Sequence, residues 1–127
     1  MIHIDKSKVR DALWAQIKAE RDRRKAGGVK VKVGGVDKWF HSDDASRIQQ
    51  LGLVLLGASI PVGLQWKTLD GSFVTMTQAV AQSVFAAAAA SDHAIFGVAE
   101  AHRVALQASA DPAAYDYLTG WPAIFGE

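Results

Sequence analysis

Gln65-Trp66-Lys67-Thr68-Leu69-Asp70-Gly71-Ser72-Phe73-Val74-Thr75-Met76 is the stretch that decides the fold. An Asp-Gly pair between two β-prone runs favours the left-handed turn that closes a tight two-residue hairpin. Alternation sets Trp66 and Thr68 against Lys67 and Leu69, so one face of this hairpin can pack. Directly after it, Thr75 or Thr77 starts the longest helix, with Gln78 placed to close a capping box on Thr75. Val80, Val84, Ala87, Ala88, Ser91, Ile95, Val98, His102 and Leu106 then follow one helical stripe. Ala86 to Ala90 has high helix propensity and permits close helix approach. Ser91-Asp92, both cap-type residues, mark a point where the helix can break.

Outward from that core, the pattern extends in both directions. Upstream, Asp5 or Ser7 caps a first helix carrying Val9, Leu13 and Ile17 at i, i+4, i+8, with Trp14 beside them. Its end, Glu20-Arg21-Asp22-Arg23-Arg24-Lys25, sets cations against the helix dipole, and Gly27-Gly28 stops it. Val29-Lys30-Val31-Lys32-Val33 alternates strictly; Gly34-Gly35 turns the chain, and Val36 to His41 returns as a second strand. Ser42-Asp43-Asp44 opens another helix, which continues through Leu53, Val54, Leu55 and Leu56. Being apolar all round, that segment is expected to be buried on most sides. Gly57 to Gly63, with Pro61, breaks it. Downstream, Asp111 caps a short helix with Pro112 at its first position, Gly120 gives a left-handed exit, and Trp121 folds back to seal a core edge. The order is helix, hairpin, helix, hairpin, long helix, short C-terminal helix. The fold class read from it is α+β, a single small domain over residues 1–127, with residues 1–8 as a flexible leader.

With 127 residues the chain has room for one sizeable core and not two. Half its residues are hydrophobic and 21% are charged, which excludes a largely disordered protein. A formal net charge of +1 gives no general drive towards nucleic acid or anionic membrane. The absence of cysteine excludes disulfides, thiol catalysis and thiolate metal sites. The apolar run Leu51 to Val62 is too short and too glycine-rich to span a bilayer, and Met1 to Lys6 lacks a signal-peptide core.

Candidate chemistry is thin. His41, Asp43 and Asp44 lie together, but Asp43 and Asp44 point to different sides of a helix start, and a cap explains them. Asp92, His93, Glu100 and His102 share the long helix, yet His93 and His102 are about 180° apart on the wheel and cannot share one ion. His102, on the apolar stripe, reads as a hydrogen-bonded core or edge residue. The glycine pairs lack the Gly-Lys-Ser/Thr ending of a phosphate loop. Between Lys18 and Lys32 seven basic residues stand against two acidic ones. That excess of five, without interleaved aromatics, reads as a solvated helix end and the polar face of an edge strand rather than a nucleic-acid site. Neither catalytic residues, nor a metal, nor a cofactor are assigned. Trp14, Trp39, Trp66 and Trp121 suit core sealing or an interface equally.

Three segments recur in a known order: Arg21-Asp22-Arg23-Arg24-Lys25-Ala26-Gly27-Gly28-Val29, Trp39-Phe40-His41-Ser42-Asp43-Asp44-Ala45-Ser46-Arg47, and Trp66-Lys67-Thr68-Leu69-Asp70-Gly71-Ser72-Phe73-Val74-Thr75-Met76-Thr77. The alanine-rich helix and Tyr115-Asp116 through Gly120-Trp121-Pro122 follow. This set, over about residues 10 to 122, resembles an uncharacterised domain found near the C-termini of phage tail fibre and tail fibre assembly proteins. The resemblance implies a non-enzymatic phage or prophage protein, made in the bacterial cytoplasm and located in the virion tail. Its partner would be a tail fibre or another tail protein, with a homo-oligomer also open, and with neither nucleic acid nor membrane involved. An assembly chaperone absent from the finished virion, and a small enzyme or metal protein using His41, Asp43, Asp44 or His102, are the competing readings. Docking would fall to the hairpin (Trp66, Lys67, Asp70, Gly71, Phe73), to the basic helix end (Arg23, Arg24), or to Trp121 and Pro122. A hairpin edge could also accept a strand from a fibre chain.

Overall fold

Thr77 begins the frame of the molecule: its hydroxyl accepts the Val80 N–H and starts α3, Gln78–Ala108, 31 residues without a break. A helix of that length is about 46 Å long at ~1.5 Å per residue, enough for two core clusters along one rod. The computed structural model describes residues 5–127. Ahead of α3 come α1 (Lys6–Lys25), β1 (Val29–Val33), β2 (Val36–Phe40), α2 (Asp44–Leu56), β3 (Gln65–Lys67) and β4 (Phe73–Thr75). Single 3₁₀ turns follow α2 at Gly57–Ser59 and α3 at Pro112–Ala114, the latter being the short C-terminal helix. The molecule is thus a mixed α+β domain with the expected element order. Residues 1–4 of the expected leader lie outside the described residues. Lys6 to Lys8 form the first turn of α1, where Asp5 accepts the N–H groups of Ser7 and Lys8.

Each hairpin is a separate two-stranded antiparallel sheet. β1 and β2 pair with Val33 opposite Val36, and Gly34 and Gly35 take φ of 57° and 80°. Two consecutive left-handed residues make the two-residue turn whose twist matches the strands. Leu69 N–H donates to Trp39 C=O at 2.8 Å, so the second hairpin is tied to the outer strand of the first. Lys38 reinforces the joint through the Ser72 hydroxyl at 2.7 Å.

The stripe on α3 packs as its spacing predicts: Val84, Ala88, Ile95, His102 and Leu106 are buried. One end of α3 joins Val29, Val31, Phe40, Leu53, Ile60, Val74 and Met76 in the larger cluster. The other end meets Ile17 of α1, and Leu13, Trp14, Tyr115, Tyr117 and Trp121 cover it. Trp121 therefore seals a core edge as expected, after Gly120 turns the chain at φ 83°.

Several local expectations need correcting. The turn at Asp70-Gly71 is not a two-residue one. Thr68 exchanges backbone bonds with Ser72 and Gly71, giving a three-residue loop in which Gly71 alone is left-handed, at φ 85°. Asp70 keeps a negative φ because its carboxylate is drawn back onto Thr68 and Ser72. No capping box forms at Thr75, which lies in β4 and instead receives Gln65 Nε2 at 3.1 Å. Asp111 makes no side-chain cap bond, although Pro112 does stand at the start of its turn. Ser91-Asp92 does not break α3; Asp92 is held sideways by Arg47 instead of reaching back to its own backbone. Finally, α2 is not buried on most sides. Only Gln50 and Leu53 are buried, because one face alone of the helix meets α3 and the hairpins.

Candidate docking surface

The second hairpin divides its residues by face. Trp66 and Val74 pair across the strands and point inward, Val74 buried and Trp66 half-buried. Lys67 and Phe73 pair on the outer face, where Phe73 is 59% exposed. These two, with Trp66, border a shallow cleft completed by His41, Ser46, Gln49 and Gln65. At the tip, Asp70 Oδ1 accepts from the Ser72 hydroxyl at 2.6 Å, the Thr68 hydroxyl at 2.7 Å and the Ser72 N–H at 2.9 Å. The Ser72 and Thr68 bonds hold the Asp70 carboxyl well below the ordinary carboxylate range. Asp70 is therefore committed to shaping the loop that presents Phe73, and Gly71 supplies the left-handed corner beside it.

The basic helix end and the C-terminal segment come together instead of forming two surfaces. Arg24 is buried; it donates to Glu20 at 2.7 Å, to Pro122 C=O at 2.8 Å, and with both terminal nitrogens to Glu127 at 2.9 and 3.0 Å. Its guanidinium also sits 6.0 Å from the Trp121 ring centroid. The hydrogen bond from Arg23, together with that from Arg24, lowers the pKa of Glu20 against the opposing effect of burial. Trp121 Nε1 donates to Tyr117 C=O at 2.7 Å, and the ring packs 5.5 Å from His102. Arg24, Trp121 and Pro122 thus form an internal clamp, while Arg23 stays on the outside with Glu20. Glu127 was not singled out by the sequence reading; no pattern in a single chain announces a partner 103 residues away.

Among the remaining polar candidates, Asp43 and His102 have structural partners for their side chains. Asp43 caps α2 by accepting from Ser46, which lowers its pKa. His41 gives its carbonyl to Gln50 Nε2. His102 bonds through Nδ1 to the Tyr115 hydroxyl at 2.7 Å and through Nε2 to Thr119 C=O at 2.8 Å. It is the hydrogen-bonded core residue its stripe position suggested. Among the described residues, no group of three or more His, Asp or Glu side chains is placed to hold a metal ion. Among them, too, no helix is long and apolar enough to cross a membrane.

What the sequence reading missed is the outside of α2. Ile48, Leu51, Leu55 and Leu56 are exposed, as are Val62 beyond it and Phe85 on α3. Their apolar character suggested burial, and periodicity gave no signal against it: the inward face carries the polar Ser46 and Gln50 beside Leu53, which the usual apolar-in pattern would assign to solvent.

The fold is that of a small mixed α+β domain with an internal C-terminal clamp and with aliphatic and aromatic side chains turned to the outside. The chain belongs to the family described as a domain of unknown function, DUF4376, which matches residues 8–119. Among curated proteins and among solved structures, nothing matches it. The matched region ends just before Trp121 to Glu127, the segment that closes on Arg24.

Proposed function

We propose that the chain is a non-enzymatic, tail-associated protein of a phage or prophage, docking on a tail fibre or tail tip. The tail context comes from the ordered resemblance over residues 10 to 122. The docking chemistry rests on one observation: aliphatic and aromatic side chains stand outside the folded domain, on α2 and at Phe73. Exposed apolar groups grouped in this way mark interaction surfaces more often than isolated ones do. On the hairpin, Phe73 and Lys67 are the contact residues, and Asp70 and Gly71 fix the loop between their strands. Arg23 is the basic contact; Arg24, Trp121 and Pro122 support the surface from inside.

Mass spectrometry of purified particles, beside a pull-down of the tagged chain from infected-cell lysate, tests this reading. A fixed ratio to known tail proteins in the particle is the expected result. Recovery only in lysate, bound to an immature fibre chain, would replace it with an assembly chaperone. Absence from particles and from any fibre complex would overturn both.

A further inference from the structure

The first hairpin is a two-stranded sheet, and its two edges differ. On β2, Trp39 C=O accepts from Leu69 N–H, so that edge is already taken by the second hairpin. The same bond fixes the phase of the ladder. Trp39 points its carbonyl away from β1, so it and its partner Lys30 form a pair that exchanges no bonds with each other. Lys32 and Asp37, two residues along, repeat that phase. The N–H and C=O of Lys30 and of Lys32 therefore point outward from β1. None of the four has a hydrogen-bond partner among the described residues. They make one open edge, a template for a further strand.

The surroundings leave space for that strand. A cleft of about 270 Å³ adjoins Lys30, bounded by Trp39, by Ala123 of the C-terminal segment, and by Ala87 and Ser91 of α3. An added strand turns alternate residues towards α3, where Ala87 and Ser91 are short. Its other residues fall on the outer face with the exposed side chains of Lys30 and Lys32. Lys32 reaches Asp37 at 3.6 Å, whereas Lys30 has no ion-pair partner among the described residues. Charge then selects the occupant. Two copies joined edge to edge would set lysine against lysine on one face, which is destabilising. A segment with acidic side chains at alternate positions would instead pair with both.

We propose that the free edge of β1 is a strand-acceptor site for an extended acidic segment of a partner protein, bonded to the backbone of Lys30 and Lys32. The assignment concerns this edge alone and does not rest on the tail reading. It lies on a different hairpin from Phe73, so both surfaces can be occupied together.

The test is titration of the full chain with a synthetic probe, Thr-Glu-Val-Glu-Thr blocked at both ends, followed by amide shifts and hydrogen exchange. In the free chain the Lys30 and Lys32 amides should exchange fast, and those of Val31 and Val33, which face β2, slowly. Four ordinary backbone bonds and two exposed ion pairs give a dissociation constant on the order of a millimolar. Bound probe should slow exchange at Lys30 and Lys32. Replacing both glutamates of the probe by lysine should weaken binding about tenfold, and so should N-methylating its two edge-facing amides. Lys30→Glu should do the same and leave the melting temperature unchanged, since its side chain is exposed. Protection of the Lys30 and Lys32 amides in the dilute free chain would mean a covered edge and overturn the proposal. So would the absence of any shift at several millimolar probe. Binding indifferent to N-methylation would overturn it as mere charge attraction, and shifts centred on Phe73 would move the probe to the other hairpin. Protection that grows with chain concentration alone would give the edge to a second copy instead.

Discussion

Arg24 sits at the last turn of α1, only 8% exposed, with Glu20, Glu127 and the Pro122 carbonyl all accepting from it. A guanidinium taken out of water in this way is compensated only while its partners stay in place. Arg24→Ala removes the fork and leaves Glu20, itself largely covered, beside Arg23 alone. The expected cost is about 3 kcal/mol of unfolding free energy, read from urea denaturation. Arg24→Lys should recover little of it, because one ammonium cannot replace a planar fork aimed at two carboxylates and a carbonyl. Equal stability of the lysine variant and the wild type would refute the fork. Across the same cluster, Thr119 C=O can only accept, so His102 Nε2 carries a proton, and in the tautomer protonated there alone Nδ1 accepts from the Tyr115 hydroxyl. Imidazole nitrogen shifts should report that tautomer. Tyr115→Phe leaves Nδ1 without a donor in a buried place, for an expected loss of about 1–2 kcal/mol.

At the scale of elements, two glycines separate backbone strain from crowding. Gly71 closes the second hairpin at φ 85°, and an added Cβ there meets nothing within 4 Å. Gly71→Ala should still destabilise by about 1–2 kcal/mol, because the left-handed conformation itself is costly for an L side chain. Gly97 lies inside α3, also with nothing within 4 Å, but at helical dihedrals. Gly97→Ala should therefore stabilise by up to about 1 kcal/mol through helix propensity and a less flexible unfolded chain. Thermal melts of the pair should move in opposite directions; a shift of the same sign would mean the space around one of them is not free. These elements also mark how far the sequence could be read. The stripe on α3, the Gly34-Gly35 turn, the Asp43 cap and the inward His102 all follow from local spacing, which a single chain displays. The three-residue loop at Asp70 does not, because the carboxylate's preference for Thr68 and Ser72 over an Asp-Gly left-handed pair is decided by geometry. The exposed face of α2 was illegible for a related reason. Apolar content says that a side chain avoids water, not whether its cover comes from the same chain. Of the predicted contacts, Phe73 and Lys67 face outward from a legible hairpin alternation, whereas the inward role of Arg24 depends on Glu127, far away in sequence.

At the scale of the molecule, α3 carries two core clusters, and ion pairs fasten what surrounds them. Arg47 of α2 grips Asp92 of α3 with both terminal nitrogens and also donates to the carbonyls of Ser42 and Lys25, joining three elements near the middle of the rod. Arg24 fastens the C-terminal segment over the smaller cluster. Acid should attack this design in a definite direction. Hydrogen bonds from Arg23 and Arg24 lower the pKa of Glu20, those from Arg24 lower that of Glu127, and those from Ser46 and Ser72 lower Asp43 and Asp70. A carboxyl whose folded pKa lies below its unfolded value, near 3.9 for Asp and 4.3 for Glu, binds its proton more readily in the unfolded chain. Its contribution is complete above the unfolded value and is lost as pH falls through the folded one. Stability should thus hold from neutral pH down to about 5 as far as these four groups set it, then decline steadily towards pH 2. Urea midpoints taken at intervals across that range measure the decline. In Arg24→Gln the fall should be shallower, since Glu20 and Glu127 lose their shared cation and return towards ordinary values. A wild-type midpoint that stays level or rises between pH 5 and pH 3 would mean that the clamp at Arg24 does not hold the C-terminal segment in solution.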